Sequence, residues 1–548
     1  MPSPVALLAG PGAVAAAKHL AIRAATSPSL KSATLFSVLF YWSFKRLPEW
    51  VKRDISFKNL LKNREEITEE EFVGLFSVLE KLQKLASNIK DLDTDIPQLH
   101  AALLAYIQLS GQNKLHQLNY HRSRRRSRVD TLINDQSDDE SVCSVTRDYL
   151  YESAGRELDL SSLRSSEIQH GIRMALFAYH EDPEKLSKKL NENQYSLLNH
   201  KLVDIRPGRV AYYVAVSPTR KQVVVALRGT STLGDLVTDC CGHAVPLVDD
   251  HSTGDKVRVE IKAAVPNIVT VASQDGNMEI ISGHERIVFE DHDEDGDNHI
   301  RCHEGILISA RNMMEEIESI LLPWIDCGFK LVFCGHSLGA GTAVLAATLL
   351  RSRYPELFLE PGQIHVYAYG TPPVLDHDSA IAACSYCTSV VNNADLISRL
   401  NISNLAVSLT CLRNIQTKLS DSKMSPTGPR TSVAFLNKIA QGTSGTPLMT
   451  FSELDESIRE AHDNLSLRKP EHLFVPGRVL LAYDPWTDHD EADDNLSDPS
   501  LVAPKHWKCV ETSGTSPVFQ RLEIDGLRCF TDHVASSYFE VLGIEYEF

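Results

Sequence analysis

Residues 330–341 run Lys-Leu-Val-Phe-Cys-Gly-His-Ser-Leu-Gly-Ala-Gly, and this stretch decides the fold. Its first half is an apolar run typical of a buried strand, and the residues after it are rich in helix formers. Ser337 therefore stands at a sharp turn between strand and helix, between Gly335 and Gly339. This is the Gly-x-Ser-x-Gly pattern of a nucleophile elbow. We predict that Ser337 is a nucleophile and that the backbone N–H of Leu338 donates to an oxyanion; a glycine-rich helix start is the alternative.

A second strand-like run, residues 222–227, ends in an Arg-Gly-Thr turn at residues 228–230. Asp235 and Asp239 follow with the spacing Asp-x-x-x-Asp. A turn of this kind upstream of an elbow is where a second oxyanion donor is expected. Together with the elbow, the pattern resembles the class 3 lipases, and more closely the sn-1-specific diacylglycerol lipases.

The resemblance covers roughly residues 165–400 and 472–545. It implies an α/β fold of the α/β-hydrolase type, with a helical N-terminal extension and an insertion between the catalytic acid and base. It also implies that Thr230 occupies the position of the second oxyanion donor. Residues 303–305, His-Glu-Gly, resemble the His-x-Gly that opens the helix before the elbow strand in this family.

The acid of a triad should follow the elbow in the chain order Ser, Asp, His. Residues 388–393 are strand-like and lead into Ala-Asp-Leu-Ile-Ser-Arg-Leu at 394–400. This segment resembles the family pattern Asn-x-x-Asp-x-Val-Pro-Arg-Leu, which implies that Asp395 is the acid. Ser398 stands where the family has proline. An aspartate at a strand end is otherwise often a helix N-cap, which is the alternative role for Asp395.

The base must be a histidine downstream of Asp395, and the candidates are His462, His472, His489, His506 and His533. Residues 531–539 resemble the family's terminal Asp-His followed by Tyr and Phe on the last helix, which implies that His533 is the base. His472 is the second candidate, because it begins a strand-like run.

The charge balance excludes one class of partner. The chain has 548 residues, with 55 Lys and Arg against 72 Asp and Glu, a net charge of −17. Such a chain is not expected to bind nucleic acid. Its 11 cysteines are scattered, which is typical of a reducing compartment.

No cofactor or metal is expected from the sequence. Asp291, Asp293 and Asp295 resemble the start of a calcium loop, but the bidentate glutamate of such loops is missing. We predict an acidic surface loop there, with a weak cation site as the alternative. The Cys-x-x-Cys at Cys384 and Cys387 has no second pair, so a zinc site is not expected.

The N-terminal third differs in composition from the rest. Residues 1–64 are apolar and basic, and residues 36–46 place aromatic side chains beside Lys45 and Arg46. This favours a helix at a membrane interface, while an organelle transit peptide and a helix packed on the core are the alternatives. Residues 65–112 predict a helical hairpin, and residues 113–147, with adjacent basic, serine and acidic blocks, predict a disordered linker.

Residues 148–548 are predicted to form the hydrolase domain. Within it, residues 401–470 separate the predicted acid from the predicted base. Their middle, Ser420–Thr446, is rich in Ser, Thr and Pro, so we predict a loop that gates the site.

The sequence therefore predicts an intracellular, peripheral membrane enzyme that cleaves an acyl ester of a glycerolipid, diacylglycerol at sn-1 by the resemblance. Three alternatives stay open. The first is a lipase of the same fold acting on triacylglycerol, monoacylglycerol or phospholipid. The second is a non-catalytic, lipase-like interaction protein. The third is a membrane-docked scaffold whose N-terminal half is the functional part.

Overall fold

The protein is described from a computed structural model. The structure describes residues 102, 105–106, 151, 154–201, 208–229, 244–247, 270–272, 278–280, 300–421, 449, 451–464, 472–484, 507–522 and 528–544. Within these ranges, no helix combines the length and the apolar character needed to cross a bilayer.

The strands, in chain order, are β1 (Arg156–Leu158), β2 (Ser196–Lys201), β3 (Tyr212–Ser217), β4 (Gln222–Leu227), β5 (Ala244–Pro246), β6 (Thr270–Ala272), β7 (Met278–Ile280), β8 (Arg301–His303), β9 (Lys330–His336), β10 (Ile364–Tyr369), β11 (Cys387–Asn392), β12 (Arg478–Tyr483) and β13 (Lys508–Ser513).

The α-helices are α1 (Leu160–Leu163), α2 (Ser166–Phe177), α3 (Pro183–Glu192), α4 (Glu304–Asp326), α5 (Leu338–Arg353), α6 (His377–Ala382), α7 (Ile402–Asp421), α8 (Phe451–Asn464), α9 (Arg528–Thr531) and α10 (Ala535–Leu542). Short 3₁₀ turns cover Pro355–Phe358, Ala383–Ser385, Ile397–Arg399 and Pro517–Phe519.

In the described part of the chain, nine strands form one sheet in the order β1-β13-β12-β11-β10-β9-β4-β3-β2. The central strands β4, β9, β10, β11 and β12 are parallel to their neighbours in that group, and the flanking strands pair antiparallel. Parallel strands are buried on both faces and are therefore continuously apolar, as the sequences of β4 and β9 are. The predicted α/β class and α/β-hydrolase architecture are confirmed.

Helices cover both faces of this sheet. In β4, Val223 and Val225 pack in the same cluster as side chains of α4 and α5, whereas Val224 and Ala226 pack with Met174 of α2. Successive side chains of a strand point to opposite faces, so one apolar run fills two cores. The sheet is thereby fixed, and the carboxyl ends of its parallel strands form one edge.

Helix α4 begins as predicted at the His-Glu-Gly segment. His303 is its N-cap, and its side-chain Nδ1 accepts a hydrogen bond from the backbone N–H of Ile306 at 3.3 Å. An N-cap acceptor satisfies one of the N–H groups that a helix start leaves without a partner. The helix then runs back beneath the sheet to the start of the elbow strand β9.

The described ends of the predicted insertion are helical. Helices α7 and α8 pack against each other, and Asn414 of α7 donates to the Ser457 hydroxyl of α8 at 2.5 Å. Most of the predicted gate, Ser420–Thr446, lies outside the described residues. The same holds for residues 1–64, the linker 113–147 and most of the predicted hairpin 65–112, so these domain boundaries stay predictions. Tyr106, a described residue of that hairpin, donates a hydrogen bond to the carbonyl of Leu522 at 2.9 Å.

Candidate active site

The elbow lies at the carboxyl end of β9, where α5 begins. Ser337 has φ 58° and ψ −128°, a backbone conformation that residues other than glycine rarely adopt. Its backbone N–H donates to the carbonyl of Tyr369 in the adjacent strand β10 at 2.9 Å. Strain of this kind persists only where the surroundings fix it, and here two strands and a helix do so. The serine hydroxyl is thereby held at the edge of the sheet.

The two glycines of the elbow are required by contact between backbones. A Cβ on Gly335 would lie 2.3 Å from the carbonyl carbon and oxygen of Gly339. A Cβ on Gly339 would lie 2.6 Å from the carbonyl oxygen of Leu227 at the end of β4. Neither obstacle is a side chain that could turn away. Glycine at both positions lets strand β9, helix α5 and strand β4 meet directly behind Ser337.

His533 is the histidine that reaches the serine. Its Nε2 lies 2.8 Å from Ser337 Oγ, and its Nδ1 lies 3.0 Å from both carboxylate oxygens of Asp395. Gly370, with φ 58°, directly follows β10 beside this pair, and a Cβ there would lie 3.0 Å from Asp395 Oδ2 and from His533 Nδ1. The structure thus brings Ser337, His533 and Asp395 into one hydrogen-bonded line.

The other histidine candidate has a different environment. His472 is buried, and its ring centroid lies 4.3 Å from that of Phe474. His462 lies in helix α8, and His489 and His506 lie outside the described residues.

Asp395 is fully buried and is held as an acceptor. Its Oδ1 accepts from the backbone N–H of Ile397 at 2.9 Å, and its Oδ2 accepts from the Tyr538 hydroxyl at 2.6 Å. Burial raises the pKa of this carboxyl, but the charge and hydrogen bond of His533 and the hydrogen bond of Tyr538 together bring the pKa below its ordinary value. A buried carboxylate with these partners stays ionised and faces His533 Nδ1. The Ile397 contact is an N-cap-like bond, so the alternative role weighed for this aspartate coexists with the contact to His533.

A buried arginine supports the loop that carries the acid. Arg399 is fully buried, and its guanidinium donates to the carbonyls of Asn393 at 2.8 Å, Asp395 at 2.9 Å and Val518 at 3.2 Å. It also donates to the Tyr151 hydroxyl at 3.3 Å. Asn393 has φ 46°, so the loop turns sharply there. The planar guanidinium presents five N–H donors in a fixed arrangement, which lets one side chain bond to carbonyls on several sides.

The turn that carries His533 is fastened to the acid loop. The side chain of Asn392 donates to the carbonyl of Asp532 at 2.9 Å, and Asp532 Oδ2 accepts from the backbone N–H of Ala394 at 3.3 Å. These bonds join segments more than 130 residues apart in the chain. The acid and the base are therefore positioned together.

Of the two predicted oxyanion donors, the structure describes Leu338 and not Thr230. Leu338 begins α5 directly after Ser337 and is fully buried, so its N–H belongs to the first helical turn, where N–H groups have no intrahelical acceptor. Thr230 lies outside the described residues, which end at Gly229 on this side. A Cβ on Gly229 would lie 3.0 Å from the Cβ of Ser337, so the chain passes against the elbow just before Thr230.

Asp291, Asp293 and Asp295 also lie outside the described residues, so the acidic loop and its alternative, a weak cation site, stay predictions. Within the described ranges, no cluster of three or more His, Cys, Asp or Glu side chains has the arrangement of a metal site.

Sequence patterns missed three contributors to this site. Tyr538 and Arg399 lie inside segments that resemble the lipase family. No sequence pattern indicated the hydrogen bonds that these two residues make. Tyr179, two residues after the end of α2, hydrogen-bonds His336 at 3.1 Å, and no local sequence pattern indicated this contact. Each acts through a partner that is distant in sequence, and no periodicity or spacing encodes such a partner.

Part of the chain is similar in sequence to known lipases. Residues 224–404 match the family model for class 3 lipases. Human diacylglycerol lipase-alpha is 26% identical over 204 residues, which are 35% of this chain and 15% of that protein. Mouse diacylglycerol lipase-beta is 27% identical over 195 residues, which are 35% of this chain and 22% of that protein. The chain therefore matches less than a quarter of the length of these curated relatives.

Lipases are among the solved structures that are similar to the chain. A fungal lipase–inhibitor complex is 16% identical, covers 45% of this chain and 76% of its own, and has a TM-score of 0.32. A lipase from Rhizopus microsporus var. chinensis is 15% identical, covers 44% of this chain and 70% of its own, and has a TM-score of 0.28. The fold assignment rests on the sheet described above, and the class 3 lipase resemblance is confirmed by the family match.

Proposed function

We propose that this chain, whose residues 224–404 match the family model for class 3 lipases, is a serine ester hydrolase that cleaves an acyl ester of a glycerolipid. The observation that carries the proposal is the line from Ser337 Oγ through the His533 ring to the Asp395 carboxylate, with contacts of 2.8 and 3.0 Å. A hydroxyl, an imidazole and a buried carboxylate at these distances form the arrangement of nucleophile, base and orienting acid.

In the proposed reaction, Ser337 Oγ attacks the ester carbonyl while His533 Nε2 takes the hydroxyl proton. Asp395 accepts from His533 Nδ1, which fixes the ring orientation and stabilises the imidazolium. The developing oxyanion is bound by the backbone N–H groups of Leu338 and Thr230. His533 then gives its proton to the departing alcohol, and water hydrolyses the acyl-enzyme with His533 as the base again.

The substrate we propose is diacylglycerol, cleaved at sn-1. Support for this choice comes from the similarity to proteins named diacylglycerol lipases and from the motifs that resemble theirs. Triacylglycerol, monoacylglycerol or phospholipid is the alternative substrate class. The proposed chemistry uses no metal and no cofactor.

The site of action we propose is an intracellular membrane surface, reached through the aromatic and basic residues 36–46. Such a segment gains affinity from buried apolar area and from roughly 1 kcal/mol per basic residue near anionic headgroups. Deletion of residues 1–64 should then reduce sedimentation with anionic vesicles while sparing hydrolysis of a soluble short-chain ester. Equal loss of both would show a segment packed on the core.

The insertion 401–470 is proposed as a gate over the site. Its described helix α7 starts beside the loop that carries Asp395, because Asn404 of α7 donates to the carbonyls of Arg399 and Phe519, both at 2.7 Å. Replacing Ser420–Thr446 with a short Gly/Ser linker should change hydrolysis of long-chain lipid more than that of a short soluble ester. Identical responses would exclude a gate.

The function is tested with the purified full-length chain and vesicles that contain diacylglycerol, triacylglycerol, monoacylglycerol or phosphatidylcholine in turn. Products are measured by mass spectrometry beside the Ser337→Ala variant. We expect fatty acid and 2-monoacylglycerol from diacylglycerol, and a loss on the order of 10⁴-fold or more in the variant. Release from another lipid would correct the substrate. Undiminished release by Ser337→Ala would overturn the proposed function, and so would the absence of release by wild type, which an interaction protein or a scaffold would predict.

A further inference from the structure

The residue just before the nucleophile, His336, is bonded through both ring nitrogens. It is nearly fully buried, with Nε2 2.8 Å from the carbonyl oxygen of His533 and Nδ1 3.1 Å from the Tyr179 hydroxyl. Its ring also stacks on that of His533, with centroids 4.9 Å apart and planes inclined by 28°. His336 thus contacts both the ring and the backbone carbonyl of His533, and it directly precedes Ser337 in the chain.

The partners of His336 decide which nitrogen carries the proton. A carbonyl oxygen only accepts, so Nε2 is the protonated nitrogen and donates to His533. Nδ1 is then the acceptor, and the Tyr179 hydroxyl donates a hydrogen bond to it. Burial lowers the pKa of His336 to about 3, so the ring remains in this neutral form at pH 7.

Tyr179 extends the same line to a third segment. Its hydroxyl accepts from the backbone N–H of Gly229 at 3.0 Å. A Cβ on Gly229 would lie 2.6 Å from that hydroxyl and 2.8 Å from the carbonyl oxygen of His336, so only glycine fits between them. Gly229 directly precedes Thr230, the proposed second oxyanion donor.

We propose that Tyr179 and His336 are positioning residues. They hold the turn at Gly229, the elbow at Ser337 and the turn at His533 in fixed positions relative to one another. The line runs from Gly229 N–H to the Tyr179 hydroxyl, from that hydroxyl to His336 Nδ1, and from His336 Nε2–H to the His533 carbonyl. This inference rests on the proposed function. An oxyanion donor acts only when it lies close to 3 Å from the developing charge, and a misplacement of about 1 Å costs roughly 10²-fold in rate.

The first test is Tyr179→Phe in the full chain, assayed on a soluble short-chain ester. The variant removes the acceptor for Gly229 N–H and leaves the ring in place. We expect kcat to fall by about 10- to 100-fold while KM stays within about 2-fold, because the lost alignment matters in the transition state. The matched control is Tyr213→Phe, which removes a fully buried hydroxyl that donates to the Met174 carbonyl of helix α2 at 2.8 Å.

The second test compares His336→Gln with His336→Leu at equal folded fraction, measured by thermal unfolding. Glutamine keeps a donor and an acceptor, whereas leucine keeps only apolar volume. We expect Gln to retain at least about 10-fold more kcat than Leu, a rescue that a role in packing alone would not give. Equal kcat in the two His336 variants, or equal effects of Tyr179→Phe and Tyr213→Phe, would overturn the proposal.

A third readout does not depend on hydrolysis. In protein with ¹⁵N-labelled histidine, His336 should show a protonated Nε2 and an unprotonated Nδ1 at pH 7, and Tyr179→Phe should shift the Nδ1 signal. A reversed tautomer, or an unmoved Nδ1 signal, would exclude the hydrogen-bonded line. If wild type and Ser337→Ala hydrolyse the ester equally, the proposed function fails, and this spectrum still decides whether the line exists.

Discussion

The two halves of the site are held in place by different forces. The elbow half, residues 335–341, is fixed by backbones in contact, with buried small residues that leave no room for a side chain. The acid half, residues 393–404, is fixed by buried polar groups, with Arg399 and Asn404 donating to backbone carbonyls. Steric contact tolerates no added atom, whereas a hydrogen-bonded loop tolerates no lost partner. The fold should therefore fail when an atom is added at the elbow glycines and when a donor is removed from the acid half.

The largest effect is expected where an atom is added to the elbow. Gly335→Ala would place a Cβ 2.3 Å from the Gly339 carbonyl. We expect the free energy of unfolding to fall by at least about 4 kcal/mol, or the variant to fail to fold. Urea unfolding and expression yield measure it. The control is Gly328→Ala, where the added Cβ would have no atom within 4 Å apart from those of its chain neighbours. Only the backbone angle φ of 78° disfavours alanine there, and this should lower the free energy of unfolding by about 1–2 kcal/mol. Similar losses in both variants would refute a steric elbow.

Removal of a partner from the acid half should cost less but still disturb the fold. Arg399→Met leaves the carbonyls of Asn393, Asp395 and Val518 without their donor, and we expect a loss of about 2–4 kcal/mol in urea unfolding. The control is Arg478→Met, which breaks a partly exposed ion pair with Glu511 and should cost less than about 1 kcal/mol. If Arg399→Met costs no more than its control, the buried network does not hold the acid loop.

The smallest of these effects is a pH dependence that belongs to the elbow half. The pKa of His336 is lowered by burial from 6.5 to about 3, so between these values the unfolded chain binds more protons than the folded one. Its contribution to stability is therefore complete above pH 6.5 and is lost as the pH falls toward 3. From pH 7 to pH 5 the loss should be about 2 kcal/mol.

Urea unfolding at both pH values measures this contribution, and His336→Gln should lose correspondingly less stability than wild type. His377→Gln, at a half-exposed histidine, is the control. A wild-type loss that survives unchanged in His336→Gln would assign the pH dependence to other groups.

The same contrast explains what the sequence could predict. The elbow is encoded by residues within a dozen positions, so strand, turn, serine and helix were all predicted at their places. The acid loop depends on Val518 and Tyr151, more than 100 residues away in the chain, and was found only through its resemblance to a family. His336 stands in the elbow motif, yet its partners Tyr179 and His533 lie 157 and 197 residues away. Local sequence patterns predict backbone conformation. They do not identify the distant residues whose contacts determine what a side chain does.

Ser398 shows a further limit of resemblance. It replaces the proline of the family pattern, and its backbone N–H lies 3.4 Å from Asp395 Oδ1, where proline has no N–H to offer. The departure therefore leaves the carboxylate an additional, long contact. Residue-by-residue transfer identified Asp395 but gave no information on this local change.

The central claim is that Ser337, His533 and Asp395 work as one unit, and labelling with a fluorophosphonate tests it most directly. The probe is followed by mass spectrometry of the modified peptide in wild type, His533→Ala and His472→Ala. The account predicts modification of Ser337 in wild type and in His472→Ala, and labelling slower by about 10³-fold or more in His533→Ala. Modification of another serine, or labelling that depends on His472 and not on His533, would contradict it.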